Sequence, residues 1–166
     1  MIYRFTGSLC ACALLIAGSA GASTLPEADG EVLLTVTGQI AHTNAGEAAR
    51  FDRDMLEQMD RETVETGTVW TEGVEKFEGV PLRELLERLG AEGKTVRAYA
   101  ANDYAIEIPM ETIEADVPIV ADLRNGKEMS LRYNGPLWII YPFDSDERYQ
   151  SEVIYSRSIW QLNRLE

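Results

Sequence analysis

A chain of 166 residues with a formal net charge of −13 excludes several functions before any motif is considered. So acidic a surface repels nucleic acid and anionic lipid at a distance, and neither is expected as a partner. With 45% hydrophobic residues the chain has ample material for one buried core.

The first twenty-two residues carry the three-part pattern of a secretory leader. Arg4 supplies the positive charge, Phe5 to Ala20 is small and apolar, and Ala20-Gly21-Ala22 forms an A-x-A cleavage site before Ser23. The apolar run, diluted by Gly and Ser, falls short of the ~20 residues a spanning helix needs. A lipoprotein reading through Cys10 or Cys12 would leave too short an apolar run. The expected organisation is a leader over 1–22 and one periplasmic domain over 23–166, with no membrane span after cleavage. Cleavage would remove both cysteines, so the domain must hold together without a disulfide.

Along the remaining chain, Val32 to Gly38 alternates like a strand, and Phe51, Met55 and Met59 recur at helical spacing. Thr63 to Trp70 mixes Val, Thr and an aromatic in strand fashion. Pro81 opens the clearest helix: Leu82, Leu85, Leu86 and Leu89 share one face, Pro81 suits the first helical position, and Gly90 suits the left-handed residue beyond the end. Strands are expected at 95–100 and 104–108, joined by the turn formers Ala101-Asn102-Asp103. Two more, at 119–123 and 129–131, flank Asn125-Gly126, a strong hairpin turn. The apolar run Leu137 to Phe143 and the alternation of Val153 to Leu162 complete about seven strands. With two or three short helices, this is an α+β domain dominated by sheet.

Three stretches then resemble the sulfite-oxidase-like molybdopterin-binding domain family. Phe77-Glu78-Gly79-Val80-Pro81-Leu82-Arg83-Glu84-Leu85-Leu86 is similar to its W/F-x-G-V-P-L-x-x-L-L segment, and Ala101-Asn102-Asp103-Tyr104 to its A-x-D-G-Y turn. Asn125-Gly126-Lys127 and Tyr133-Asn134-Gly135-Pro136-Leu137-Trp138 resemble its N-G-x-x-L hairpin and H-G-x-P-x-R segment, followed by an apolar strand ending at Pro142. The resemblance implies a mostly β sulfite-oxidase-like molybdopterin-binding fold. It also implies a cysteine thiolate on molybdenum and an arginine for an oxyanion, and here the chain departs from the pattern. Glu65 to Trp70, on the segment where the thiolate belongs, contains no cysteine. The family's histidine, glycine and arginine fall on Tyr133, Asn134 and Trp138, and an indole does not replace a bidentate guanidinium.

Other chemistries lack the residues they need. The sole histidine, His42, has no cysteine or second histidine for a zinc site and no nucleophile elbow for a serine triad. Asp144-Ser145-Asp146-Glu147 fails the EF-hand pattern, with Tyr149 and Tyr155 where Gly and Glu belong. No catalytic residue and no protein metal ligand is assigned. The resemblance instead directs an aromatic and polar set towards the family's pocket: Trp70, Asn102, Asp103, Tyr104, Tyr133, Asn134, Trp138 and Tyr141. Such a set suits a small-molecule site, and equally a core with polar tips. Arg132, Arg148 and Arg157 are candidate anion holders at its rim. The expected function is an exported, non-catalytic binding module of sensory or accessory type for a small ligand or a membrane or periplasmic protein, with no cofactor. The alternative is a molybdopterin-dependent oxidoreductase with a cysteine-free metal site.

Overall fold

Segments rich in β-branched and aromatic residues pair into two five-stranded sheets in the computed structural model, which describes residues 25–166. The expected leader lies outside these residues. In the first sheet the order is β2 (Ala49–Phe51), β1 (Leu34–Val36), β10 (Leu162–Leu165), β5 (Thr95–Ala100) and β6 (Ala105–Pro109). Only the β1–β10 pairing is parallel. The second sheet runs β3 (Glu62–Gly67), β4 (Val74–Pro81), β7 (Ile119–Arg124) and β8 (Lys127–Glu128), with β9 (Trp138–Ile140) also paired to β7. Three short helices complete the described chain: α1 (Arg53–Glu57), α2 (Leu82–Arg88) and α3 (Glu152–Arg157). This is the mostly β, α+β architecture expected from the sequence.

Most of the apolar surface meets between the sheets. Leu34 and Phe51 from one edge, Leu82 and Leu85 from α2, and Ile108 and Leu162 from the first sheet lie in one buried cluster. A smaller cluster around Phe77, Ile119 and Trp138 fills the second sheet. Helix α2 follows its sequence spacing, with Leu82, Leu85 and Leu86 buried. It starts one residue later than expected, so Pro81 is its N-cap. Gly90 takes the left-handed conformation at φ +58, and a Cβ there would also press on Ala41. Gly79 has a different reason: β4 and β7 approach so closely that a Cβ would collide with the Val120 carbonyl.

Several expected boundaries move. Phe51 is a strand residue in β2, and the following helix begins only at Arg53, after Asp52 caps it. Beyond the Asn125-Gly126 turn, β8 ends at Glu128, and Leu131–Tyr133 forms a 3-10 turn. Val153 to Leu162 is not one strand. Ser151 accepts the Ile154 N–H and caps α3 over its first half, and β10 begins at Leu162. A side-chain cap outweighs a short stretch of alternation. Ten strands result where about seven are expected.

One carboxylate in the second sheet is almost wholly enclosed. Asp122, 1% exposed, accepts from Arg61 at 2.6 Å and Arg53 at 3.4 Å, so its charge is paired where it is buried. Asp52 differs in kind: its oxygens accept the backbone N–H of Met55 at 3.0 Å and of Gly30 at 2.9 Å. Those N–H groups hold its carboxyl below the usual carboxylate range.

Two stability predictions follow from these placements. Leu85→Ala removes a fully buried side chain and should lower unfolding free energy by about 2–5 kcal/mol, read from the denaturation midpoint; an unchanged midpoint would contradict the placement of α2. For Asp52 the native pKa is lowered, so its contribution is complete above the unfolded value near 4 and fades as pH falls through the native one. The stability gap between the native protein and Asp52→Ala should therefore be constant at neutral pH and shrink in acid. A gap independent of pH would show that the carboxylate charge does not contribute.

Candidate functional site

The pocket lies where the two sheets are stitched together by residues 159–162. Within that stretch the Ile159 carbonyl accepts the Ile139 N–H at 3.0 Å, Trp160 bridges to Trp138, and Leu162 N–H donates to Leu137 O at 3.0 Å. Between them Gln161 adopts φ +53, a left-handed conformation uncommon for a residue with a long side chain. Three hydrogen bonds hold it there. Its N–H donates to Asn134 O at 3.0 Å, its carbonyl accepts from Ala101 N–H at 2.9 Å, and its Nε2 donates to Leu131 O at 2.8 Å.

Around this seam lies a cavity of about 370 Å³, within the size range of small-molecule sites. Aromatic side chains of Trp70, Tyr104, Tyr155 and Trp160 line it, with polar groups from Asn102 and Gln161. Trp70 is the hub of the wall: its ring centroid lies 5.5 Å from Trp160 and 6.0 Å from Tyr155, both edge to face. Behind it, Trp138 stands 5.9 Å away. Ser156, Ser158, Ile159 and Ala100 complete the lining. The lining contains no Asp, Glu, Lys, Arg or His.

The polar groups divide cleanly. Asn102 Oδ1 accepts the Tyr104 N–H at 3.1 Å, which leaves its Nδ2 as a donor; Gln161 Nε2 is engaged with Leu131, which leaves its Oε1 as an acceptor. Neither free atom has a hydrogen-bond partner among the described residues. The site thus offers aromatic walls, one amide donor and one amide acceptor.

Of the residues selected from sequence, Trp70, Asn102 and Tyr104 line this cavity. Asp103 sits in the same turn at φ +63, but it is exposed and faces Arg164 at 3.8 Å. Asn134 contributes its carbonyl to Gln161 and no lining. Tyr133 is exposed and borders a separate depression beside Lys127 and Met129. Trp138 and Tyr141 belong to the interior: β9 is buried throughout, and the Trp138 Nε1 donates to Ser158 O at 3.1 Å. The Tyr141 hydroxyl is buried without a partner, and burial pushes its phenol above the ordinary range.

The candidate anion holders do not line the cavity either. Arg148 pairs with Glu114 at 3.2 Å, Arg157 donates to Thr112 Oγ1 at 3.3 Å, and Arg132 is exposed on the 3-10 turn. Apart from Ala100, the lining residues that sequence reasoning missed, Tyr155, Ser156 and Ser158 to Gln161, fall in the stretch read as one strand. The usable clue was the polar and aromatic run Ser156-Arg157-Ser158-Ile159-Trp160-Gln161, an unlikely strand interior.

The segment expected to carry a thiolate is tied down by another device. Thr66, fully buried, accepts the Asp144 N–H at 3.1 Å and donates to Gly67 O at 3.1 Å. Asp144 Oδ2 in return accepts the Gly67 N–H at 2.5 Å. This clasp fixes the chain just before Trp70, whose own N–H donates to Thr68 Oγ1 at 3.1 Å.

None of the curated proteins compared with this chain matches it. Among solved structures, the sulfane dehydrogenase SoxCD from Paracoccus pantotrophus is similar, with a TM-score of 0.57 at 22% identity. The similarity covers 80% of this chain and 36% of that one, so this chain spans about a third of that protein's length; at this identity the likeness is one of fold. The family described as oxidoreductase molybdopterin binding domain matches residues 35–144. That match overturns the expectation of no cofactor, because the matched family is one that binds molybdopterin.

The cavity residues fit one part of such a group. A flat pterin ring suits aromatic walls and an amide donor and acceptor. Its metal finds no matching ligand: among the described residues there is no cysteine, and no three His, Cys, Asp or Glu side chains converge to hold an ion. From the extent of the match and the shared fold, the chain belongs to the oxidoreductase molybdopterin-binding domain family.

Proposed function

We propose that this molybdopterin-binding-type domain acts as an exported binding module, holding a flat pterin-class ligand in the aromatic cavity without turning over an oxyanion substrate. The observation that carries the reading is the composition of the cavity wall. Trp70, Trp160 and Tyr155 give stacking surfaces, and Asn102 and Gln161 give orienting amides. In active members of the family the bound cofactor supplies a metal centre for redox chemistry. Here Thr66, on the segment where the thiolate belongs, is committed to Asp144 and Gly67, and Trp138, at the arginine position, is committed to the core.

Export rests on the leader pattern over residues 1–22, and the periplasm is the proposed compartment. Among the described residues no helix is long and apolar enough to cross a membrane. Binding without turnover suits a sensory or accessory role beside a membrane or periplasmic protein.

The test uses full-length protein expressed in a cofactor-competent host and recovered from the periplasm, where its mass should begin at Ser23. Titration with pterin should quench tryptophan fluorescence saturably, since Trp70 and Trp160 line the site. Trp160→Ala should weaken binding about tenfold with the fold retained and the unfolding midpoint lowered only modestly, by the lost ring contacts to Trp70 and Trp138. Sulfite oxidation should not exceed that of a buffer control. Sulfite turnover by the purified protein would overturn the non-catalytic reading, and absence of saturable pterin binding to folded protein would overturn the ligand reading.

A further inference from the structure

The charge around the cavity narrows the ligand further. No Lys, Arg or His lines it. Arg157, between two lining serines, donates to Thr112 at 3.3 Å; Arg164, beyond the Asn102 turn, lies over the Tyr99 ring at 4.0 Å and faces Asp103. Arg148 pairs with Glu114 and Asp146. An anionic tail entering here would meet no counter-charge on the lining, under the field of a chain with net charge −13.

What the cavity does provide suits an uncharged ring edge. Asn102 Nδ2 and Gln161 Oε1 are one neutral donor and one neutral acceptor, complementary to the carbonyl and N–H of a heteroaromatic lactam. Their assignments are fixed by their other bonds, with Tyr104 N–H on one amide and Leu131 O on the other. Gln161 follows Trp160 directly and lines the same cavity, so stacking face and edge group come from one stretch of backbone.

Resting on the binding reading above, we infer that the cavity recognises its ligand as an uncharged heteroaromatic ring, through its faces and one lactam edge, and discriminates against the phosphorylated form. The ring is the recognised unit. Phosphate is a liability at this site.

Equilibrium titration of the full chain with 6-hydroxymethylpterin and with its phosphate monoester tests this. The neutral compound should bind at least about tenfold more tightly, because the phosphate meets no counter-charge on the wall. Its affinity should be insensitive to salt, because no ion pair forms. Asn102→Asp keeps the bond to Tyr104 but replaces the donor by a negative charge, and should weaken the neutral ligand with the unfolding midpoint kept. Ser156→Lys, which places a cation on the lining, should narrow or reverse the preference. A phosphate ester that binds as well as or better than the neutral pterin, with affinity falling steeply in salt, would overturn this inference and leave the binding reading intact. Binding of neither compound would overturn both.

Discussion

The seam at residues 159–162 is the constraint on which the rest of the site depends. One short stretch hydrogen-bonds β9 of the second sheet on one side and enters the first sheet as β10, beside β5, on the other. Because it serves both sheets, its backbone cannot adjust to either one alone, and Gln161 is held at φ +53 by three hydrogen bonds from two separate segments, the Ala101 turn and the turn at Leu131 to Asn134. Strain of this kind persists where surrounding structure over-determines it. Its local consequence is that Trp160 remains at the surface beside Trp70, with the Gln161 amide next to it.

The same seam explains why the three tryptophans come together. Trp138 lies under the site in a strand buried throughout, Trp160 bridges to it across the seam, and Trp70 closes the group from the loop after β3. The Thr66–Asp144 clasp holds that loop from below. Each ring is placed by a different element, and the wall they build requires both sheets to be in register. Edge-to-face packing of such rings contributes about 0.5–1.5 kcal/mol per pair beyond area burial, so the wall also helps hold the sheets together. Fold and pocket are therefore coupled at the level of these contacts.

Much of the fold was legible because its strongest elements rely on local rules. Helix α2 has an uninterrupted leucine face, a proline before it and a glycine after it, and it sits within one residue of the expected start. The β5–β6 hairpin likewise follows from its turn residues. Strand β2, α3 and the start of β10 were not legible for the opposite reason. They are short, and β2 and β10 are set by partners elsewhere in the chain, β2 by β1 and β10 by β1 and β5, whereas α3 is set by its Ser151 cap, a local signal masked by the alternation around it. The site divides along the same line. Asn102 and Tyr104 lie on a turn whose motif resembles the family and Trp70 on the segment where the family's thiolate belongs, whereas Trp138 looked like a pocket residue until the strand carrying it proved buried on both faces. Tyr155, Trp160 and Gln161 were hidden by a two-residue alternation that a helix and a left-handed turn interrupt.

Membership of a molybdopterin-binding family, together with a wall that offers rings and amides and no charge, leads to one central claim: the cavity holds a flat, uncharged heteroaromatic ring. A crystal structure of the chain with bound 6-hydroxymethylpterin tests it most directly. The account predicts the ring stacked against Trp160 or Trp70, with its lactam edge on Asn102 and Gln161. Density for the pterin away from this wall, with the cavity filled by solvent, would contradict it.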